Sequence, residues 1–172
     1  MRPLDEARRD VLAAVTANPV VRVPLEESLG LVLGQGVVAA HDIPPFPNSS
    51  MDGYAVRAAD ITDTPVELQV VDDLRAGYES AAEVRPGSAI QIMTGAPVPA
   101  GADAIVPVEQ VEHGDGSVRI LEGVAEGSFI RAAGGDVAEG TTVVSAGDRL
   151  GPAHLGVLAA LGVTAVPVHR RP

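Results

Sequence analysis

The residues able to do chemistry fall in four short clusters. In residues 44–57, Pro-Pro-Phe-Pro-Asn-Ser-Ser-Met-Asp-Gly-Tyr-Ala-Val-Arg, a carboxylate, Asp52, follows a run of prolines. Pro44, Pro45 and Pro47 fix φ and lack an N–H, which predicts a stiff, extended approach. Gly53 then permits a turn with φ > 0. The expectation is an acid held on a rigid bend at the mouth of a strand. An ordinary Asp-Gly turn entering a strand has the same signature.

The second cluster, residues 93–99, puts the Thr94 hydroxyl and the Gly95 amide at a strand end, braced by Pro97 and Pro99. Small residues there let a ligand approach the backbone closely; a plain strand exit reads the same way. In residues 103–109, acids flank a short apolar strand, a pattern that also suits a solvated edge. In residues 131–136, Arg131 and Asp136 close a loop around Gly134 and Gly135. That loop reads either as a cation and a carboxylate offered to a ligand or as a turn with a surface ion pair. Asp52, Glu109 and Asp136 are hard oxygen donors suited to Mg²⁺ if they converge.

Other chemistries are absent. His41, His113, His154 and His169 are scattered without metal-ligand spacing. No Gly-x-Ser-x-Gly elbow and no Walker loop occurs, and Gly134-Gly135 does not extend into a phosphate-binding fingerprint. With no cysteine, disulfides, zinc–thiolate sites and thiol catalysis are excluded.

The elements that must position these clusters differ along the chain. Residues 3–17 predict a helix, with Pro3, Asp5 and Glu6 in its first turn and Leu4, Ala7, Val11, Leu12 and Val15 on one stripe. Val21, Val23 and Leu25 alternate as a strand, residues 25–31 suit a helical turn, and residues 32–40 read as extended. From residue 43 the texture becomes short strands between turns. Residues 66–70, 88–93, 118–120 and 128–131 are strands; residues 104–111 contain Pro107 and predict an edge or bulged strand. Residues 113–117 form a hairpin turn. Gly151-Pro152 opens a second helix capped by Gly162, and residues 163–168 are a strand.

These patterns predict a mostly β, α+β chain: a β-rich, barrel-like or sandwich-like domain (43–137) inserted into a discontinuous helix-plus-strand domain (1–42 and 138–172). Each half of the outer domain carries one amphipathic helix. The two helices must meet each other or a second chain, so dimerisation is one way to complete this domain.

The formal net charge is −11 over 172 residues, and all twelve basic residues are Arg. Without a basic stripe, nucleic acid and anionic membranes are not expected partners. No apolar run approaches the roughly 20 residues of a spanning helix. Residues 1–6 lack a secretory apolar region, which makes a cytoplasmic location the expectation.

Taken in order, the motifs are more specific than any one alone. Residues 44–56, the run Ile-Met-Thr-Gly-Ala-Pro-Val-Pro-x-Gly-Ala-Asp-Ala-Ile-Val at 92–106, and Ile-Arg-x-x-Gly-x-Asp at 130–136 closely resemble the molybdopterin molybdenumtransferase family, bacterial MoeA and the gephyrin E domain. The last residues, 155–172, are similar too. The resemblance covers essentially the whole chain and corresponds to the family's N-terminal two-domain portion. It implies insertion of molybdate into adenylylated molybdopterin, with Mg²⁺ as cofactor and release of AMP, by an elongated homodimer. It implies Asp52, Thr94 and Asp136 as cleft-facing catalytic residues, Asp52 and Asp136 as Mg²⁺ ligands, and Ser50, Gly95 and Arg131 as substrate contacts.

The family motif of the form Arg-Arg-x-Gly-Glu-Asp reads Arg131-Ala132-Ala133-Gly134-Gly135-Asp136 here, with one cation and one carboxylate fewer. The family's pterin-binding domain has no counterpart in the chain. Its anionic substrates need cations that a chain of net charge −11 offers sparingly, so the segment alone is expected to be inactive. The alternative expectation is a non-catalytic dimerisation and scaffold module.

Overall fold

The computed structural model describes residues 3–78 and 80–170. Helix α1 (Leu4–Ala13) leads to strands β1 (Val20–Pro24), β2 (Val32–Leu33), β3 (Val37–Val38), β4 (Asn48–Ser49), β5 (Gly53–Val56) and β6 (Val66–Leu74). There follow β7 (Ser88–Ile92), β8 (Ala104–Pro107), β9 (Val111–His113), β10 (Ser117–Ile120), β11 (Ile130–Arg131), β12 (Thr142–Val144), helix α2 (Pro152–Ala160) and β13 (Ala165–His169). With 32% strand against 17% helix, the chain is mostly β. It divides into two compact units: one ends at His41 and resumes at Glu139, and the other is Asp42–Ala138.

In the discontinuous unit, β13 pairs antiparallel with β1 on one side and β2 on the other. A second ribbon joins β12 to β3. The core collects Leu33, Val144, Leu150, Leu158, Val166 and Val168. Helix α2 contributes Leu158 to it, opening with Pro152 in its first turn and stopping at Gly162, whose φ is 70°. Gly162 accepts the left-handed conformation that ends a helix without a Cβ penalty.

Helix α1 departs from expectation. It stops at Ala13, four residues before the expected end at residue 17. Pro19 disfavours helical backbone at Asn18 and withholds an amide, so the last turn has nothing to build on. Its apolar stripe buries nothing within the described residues: Leu4 is 83%, Val11 64% and Leu12 60% exposed. The run at 32–40 is likewise two short strands, broken at Gly34 and Gly36.

The unit Asp42–Ala138 is built on a six-stranded, curled half-barrel sheet in the order β8-β5-β7-β6-β10-β9. Every residue of β5 and β8 is buried. Alternate side chains enter different clusters: Tyr54, Val56 and Val106 join Leu68 and Val118, whereas Ala55 and Ile105 join Ile90 and Ile92. Period-two alternation with apolar residues on both faces means that this part of the sheet is covered on both sides.

Pairing is antiparallel except between β6 and β7, which run parallel and are linked by residues 75–87. A parallel link needs about a dozen residues, and here no helix fills it among the described residues. The expected strand at 104–111 is split. β8 ends at Pro107 on the sheet edge, a 3-10 turn covers Val108–Gln110, and β9 starts the hairpin to β10. Proline cannot donate to a ladder, which places it at an edge and at a strand end.

Two expectations around Asp52 are corrected. Residues 44–46 are bent rather than extended, with a cis Ile43–Pro44 peptide. Gly53 is not in the left-handed region but in ordinary strand conformation. It is glycine for space: a Cβ would stand 2.2 Å from the Val106 carbonyl oxygen of β8.

Candidate functional site

The short strand β4 joins three loops of the β-rich unit. It pairs antiparallel with β11, setting Ser49 opposite Ile130 and Asn48 opposite Arg131. Asn48 also bridges to Pro97. The Ser49 amide donates to the Ala96 carbonyl at 3.0 Å, and the Gly95 amide donates to the Ser49 carbonyl at 2.8 Å. Segments far apart in sequence, near residues 49, 95 and 131, therefore share one backbone network.

Asp52 sits on the exposed bend between β4 and β5. Its Oδ1 accepts two hydrogen bonds from Thr94, from the backbone amide at 2.8 Å and the hydroxyl at 2.7 Å. Its backbone carbonyl accepts from the Val108 amide at 3.1 Å. The Thr94 hydroxyl first, then the Thr94 amide, hold the Asp52 carboxyl below its ordinary value of 3.8, because both stabilise the ionised form. Among the described residues Oδ2 has no partner, which leaves an anionic oxygen facing outward.

Thr94 and Gly95 form the turn that leaves β7. The Ala96 amide closes it on the Met93 carbonyl at 3.0 Å. Gly95 has φ 83°, and a Cβ there would meet nothing within 4 Å. The turn is open to an approaching ligand, and glycine is required by its backbone angle rather than by crowding.

Ser50 faces the third loop. Its amide and its hydroxyl both donate to the Phe129 carbonyl, at 2.9 and 3.0 Å. Phe129 itself is left-handed at φ 58°, an unusual conformation for a residue with a Cβ. This contact anchors the chain just before Arg131. The Arg131 side chain is exposed and makes no ion pair within the described residues, and Asp136 is exposed likewise. The alternative of a surface ion pair between these two residues is thus not realised among the described residues, and both side chains are exposed.

Asp136 is tethered elsewhere. Its amide donates to the Ile43 carbonyl at 2.9 Å, and the Gly134 amide to the Pro44 carbonyl at 2.9 Å. Gly134, at φ 68°, lies so near Asp42 that a Cβ would be 2.8 Å from its Oδ1. The structure thus joins Asp52 to Thr94 directly, gathers Ser50, Gly95 and Arg131 around β4, and hangs Asp136 on the segment that precedes them. Among the described residues no three His, Cys, Asp or Glu side chains cluster as a metal site, so Asp52, Glu109 and Asp136 do not form the trio considered above.

Two further residues shape the site, Ser49 and Phe129. Ser49 is fully buried, and its hydroxyl donates to the Met51 carbonyl at 2.5 Å. A serine three residues before an acid was the available signal, since Ser hydroxyls close local turns. Nothing in the local sequence announces the left-handed Phe129.

The sequence model of the MoeA N-terminal region, domain I and II, matches residues 2–162. The chain belongs to the MoeA family. It is 47% identical over 172 residues to molybdopterin molybdenumtransferase 2 of Mycobacterium tuberculosis, across 98% of this chain and 42% of that protein. It is 36% identical over 178 residues to the molybdopterin molybdenumtransferase of Bacillus subtilis. A crystal structure of a molybdopterin biosynthesis MoeA protein from Pyrococcus horikoshii superposes with a TM-score of 0.94 at 36% identity, covering all of this chain and 47% of that one. The chain therefore spans less than half the length of the MoeA relatives it matches. The mostly β architecture expected from its turn-rich middle is the architecture of that MoeA structure.

Proposed function

We propose that this chain is the N-terminal part of a molybdopterin molybdenumtransferase, acting on adenylylated molybdopterin and molybdate with release of AMP. The observation that carries the proposal is the Asp52 carboxylate. It is exposed, held in place by two Thr94 donors on one oxygen that also favour its ionised form, and open on the other. The chain's 47% identity to an M. tuberculosis protein of that name supports the same reading.

An ionised carboxylate with one outward oxygen suits Mg²⁺, which keeps several waters and takes one or two carboxylates plus substrate phosphate. Asp52 Oδ2 and the exposed Asp136 carboxylate are the residues that would hold it, and the ion would supply charge neutralisation on the substrate phosphate. Thr94 orients Asp52 through its amide and hydroxyl. Gly95 leaves its turn uncrowded, with Ser50 nearby, so substrate can approach this edge closely while both amides stay donated to Ser49 and Phe129. Arg131, with no partner among the described residues, pairs with an anionic oxygen of the substrate. Preorganised charges of this kind act where charge develops during transfer.

With net charge −11, the chain needs cationic groups from outside the matched region to hold molybdate and pterin phosphate. The isolated 172 residues are accordingly inactive. We also propose a cytoplasmic homodimer, supported by the bare apolar stripe of α1. Among the described residues no helix is long and apolar enough to cross a membrane.

The test is a chimaera in which this chain replaces the matched region of the B. subtilis relative. Formation of molybdenum cofactor from adenylylated molybdopterin, Mg²⁺ and molybdate is expected. Asp52→Ala is expected to lower it by on the order of 100-fold with folding intact. A fully active Asp52→Ala chimaera would remove Asp52 from the mechanism and leave the chain a scaffold and dimerisation module.

A further inference from the structure

Ser49 stands at the meeting point of both halves of the Asp52–Thr94 contact. It is fully buried. Its main chain and its side chain act on different partners. The main chain holds the turn that carries Thr94: the Ser49 amide donates to Ala96 and its carbonyl accepts from Gly95. The hydroxyl holds the residue directly before Asp52: Oγ donates to the Met51 carbonyl at 2.5 Å and accepts from the Met51 amide at 3.3 Å.

These two roles separate cleanly. Any residue except proline at position 49 has the amide and carbonyl for the main-chain bonds to Ala96 and Gly95. Only a hydroxyl there closes the ring onto Met51. A buried hydroxyl bonded to a neighbouring main chain offers that segment a fixed local turn. Removing it frees the Met51 peptide next to Asp52 while the Thr94 turn stays docked.

We propose that Ser49 is the positioning residue for Asp52, its hydroxyl setting the bend that delivers Oδ1 to the Thr94 amide and hydroxyl. Ser49 touches no substrate and acts only through Asp52. The role in turnover rests on the function proposed above, but the positioning itself is testable without substrate.

The experiment is amide hydrogen exchange by NMR on the 172-residue chain. The Thr94 amide reports the bond to Asp52, and the neighbouring Gly95 amide reports the bond to the Ser49 carbonyl. Asp52→Ala sets the Thr94 rate when the bond is absent. Ser49→Ala is expected to speed Thr94 exchange at least about tenfold, toward that value, and to leave Gly95 within about twofold. Unchanged Thr94 exchange overturns the proposal, as does equal acceleration of Thr94 and Gly95, which marks general loosening. Should Ser49→Ala fail to fold, Ser49→Cys is read the same way, because a thiol keeps similar volume but is a weak donor and acceptor. Loss of the fold in both variants would show a purely structural role and overturn the proposal too. Failure of the chimaera with normal Ser49 exchange behaviour would count against the proposed reaction only.

Discussion

Gly53 of β5 lies against the Val106 carbonyl of β8, so closely that a Cβ would be 2.2 Å from that oxygen. The two strands are paired through Tyr54–Val106 and Gly53–Pro107. Backbone cannot yield as a side-chain tip can, so even one methyl group must part the strands beside Asp52. Gly53→Ala is expected to destabilise the chain by about 1–3 kcal/mol, the cost of overpacking a filled interior. Chemical denaturation checks this, and a variant within about 0.5 kcal/mol of wild type would show that β8 moves freely.

The Asp52–Thr94 pair sets a pH dependence. The carboxyl is lowered from 3.8 in the folded chain, so its contribution to stability is present above that value. It is lost as pH falls through the lower, folded-state value. In Thr94→Val the amide still donates but the hydroxyl is gone, so Asp52 is expected to titrate higher, closer to 3.8. Carboxyl-carbon NMR between about pH 2 and 6 reads the shift directly. An unmoved titration would mean that the hydroxyl does not bond the ionised form.

Arg131 separates binding from folding. Its side chain is exposed and without an ion pair among the described residues, so Arg131→Ala is expected to change stability by less than about 0.5 kcal/mol. In the chimaera the same change is expected to raise the KM for the anionic substrate, because a charge-assisted contact is lost. Unchanged steady-state kinetics would take Arg131 out of the site.

Tyr54 and His113 tie β5 to the β9–β10 hairpin. The buried Tyr54 hydroxyl lies 2.8 Å from His113 Nδ1, and burial, then the nearby Asp73 charge, push the phenol above its ordinary value of 10.0. The phenol is therefore neutral at physiological pH, able to donate to the imidazole. Tyr54→Phe is expected to cost about 1 kcal/mol, the net worth of one hydrogen bond. His113→Ala should cost about as much, and the double variant little more, because the same bond is removed. Additive losses in a thermal or urea series would show that the two groups act apart.

The apolar stripe of α1 tests the proposed homodimer. Leu12 is 60% and Val11 64% exposed, so Val11→Ser with Leu12→Ser should leave the fold of a lone chain intact. Sedimentation is expected to show wild-type dimer and variant monomer. If both sediment alike, this stripe is not the contact between copies.

Much of the architecture was legible because local rules agreed with tertiary need. Alternation at residues 66–70 and 118–120 specified strands that pair in the curled sheet. Gly151-Pro152 and Gly162 bracketed α2 because a helix start tolerates a missing amide and a helix end needs a left-handed residue. Pro107 correctly marked an edge, since it cannot donate to a neighbour. The length of α1 and the continuity of residues 104–111 were misread, because helical and strand preferences do not report where a chain must turn to reach its next partner.

Around the candidate site the division is sharper. The types of residue in the four clusters named the chemistry at hand: carboxylate oxygens, small residues in turns and the Arg131 guanidinium. Their order along the chain pointed to the MoeA family. Which of them touch was beyond reach, because Asp52 and Thr94 are 42 residues apart in sequence and meet only when β5 and β7 pair. The reason for Gly53 was also hidden. Its neighbour Asp52 suggested a turn, yet the constraint comes from β8, a strand more than 50 residues downstream. Motif order along the chain determines the family to which it belongs. Only the folded sheet decides which oxygen of Asp52 is held by Thr94 and which is left open.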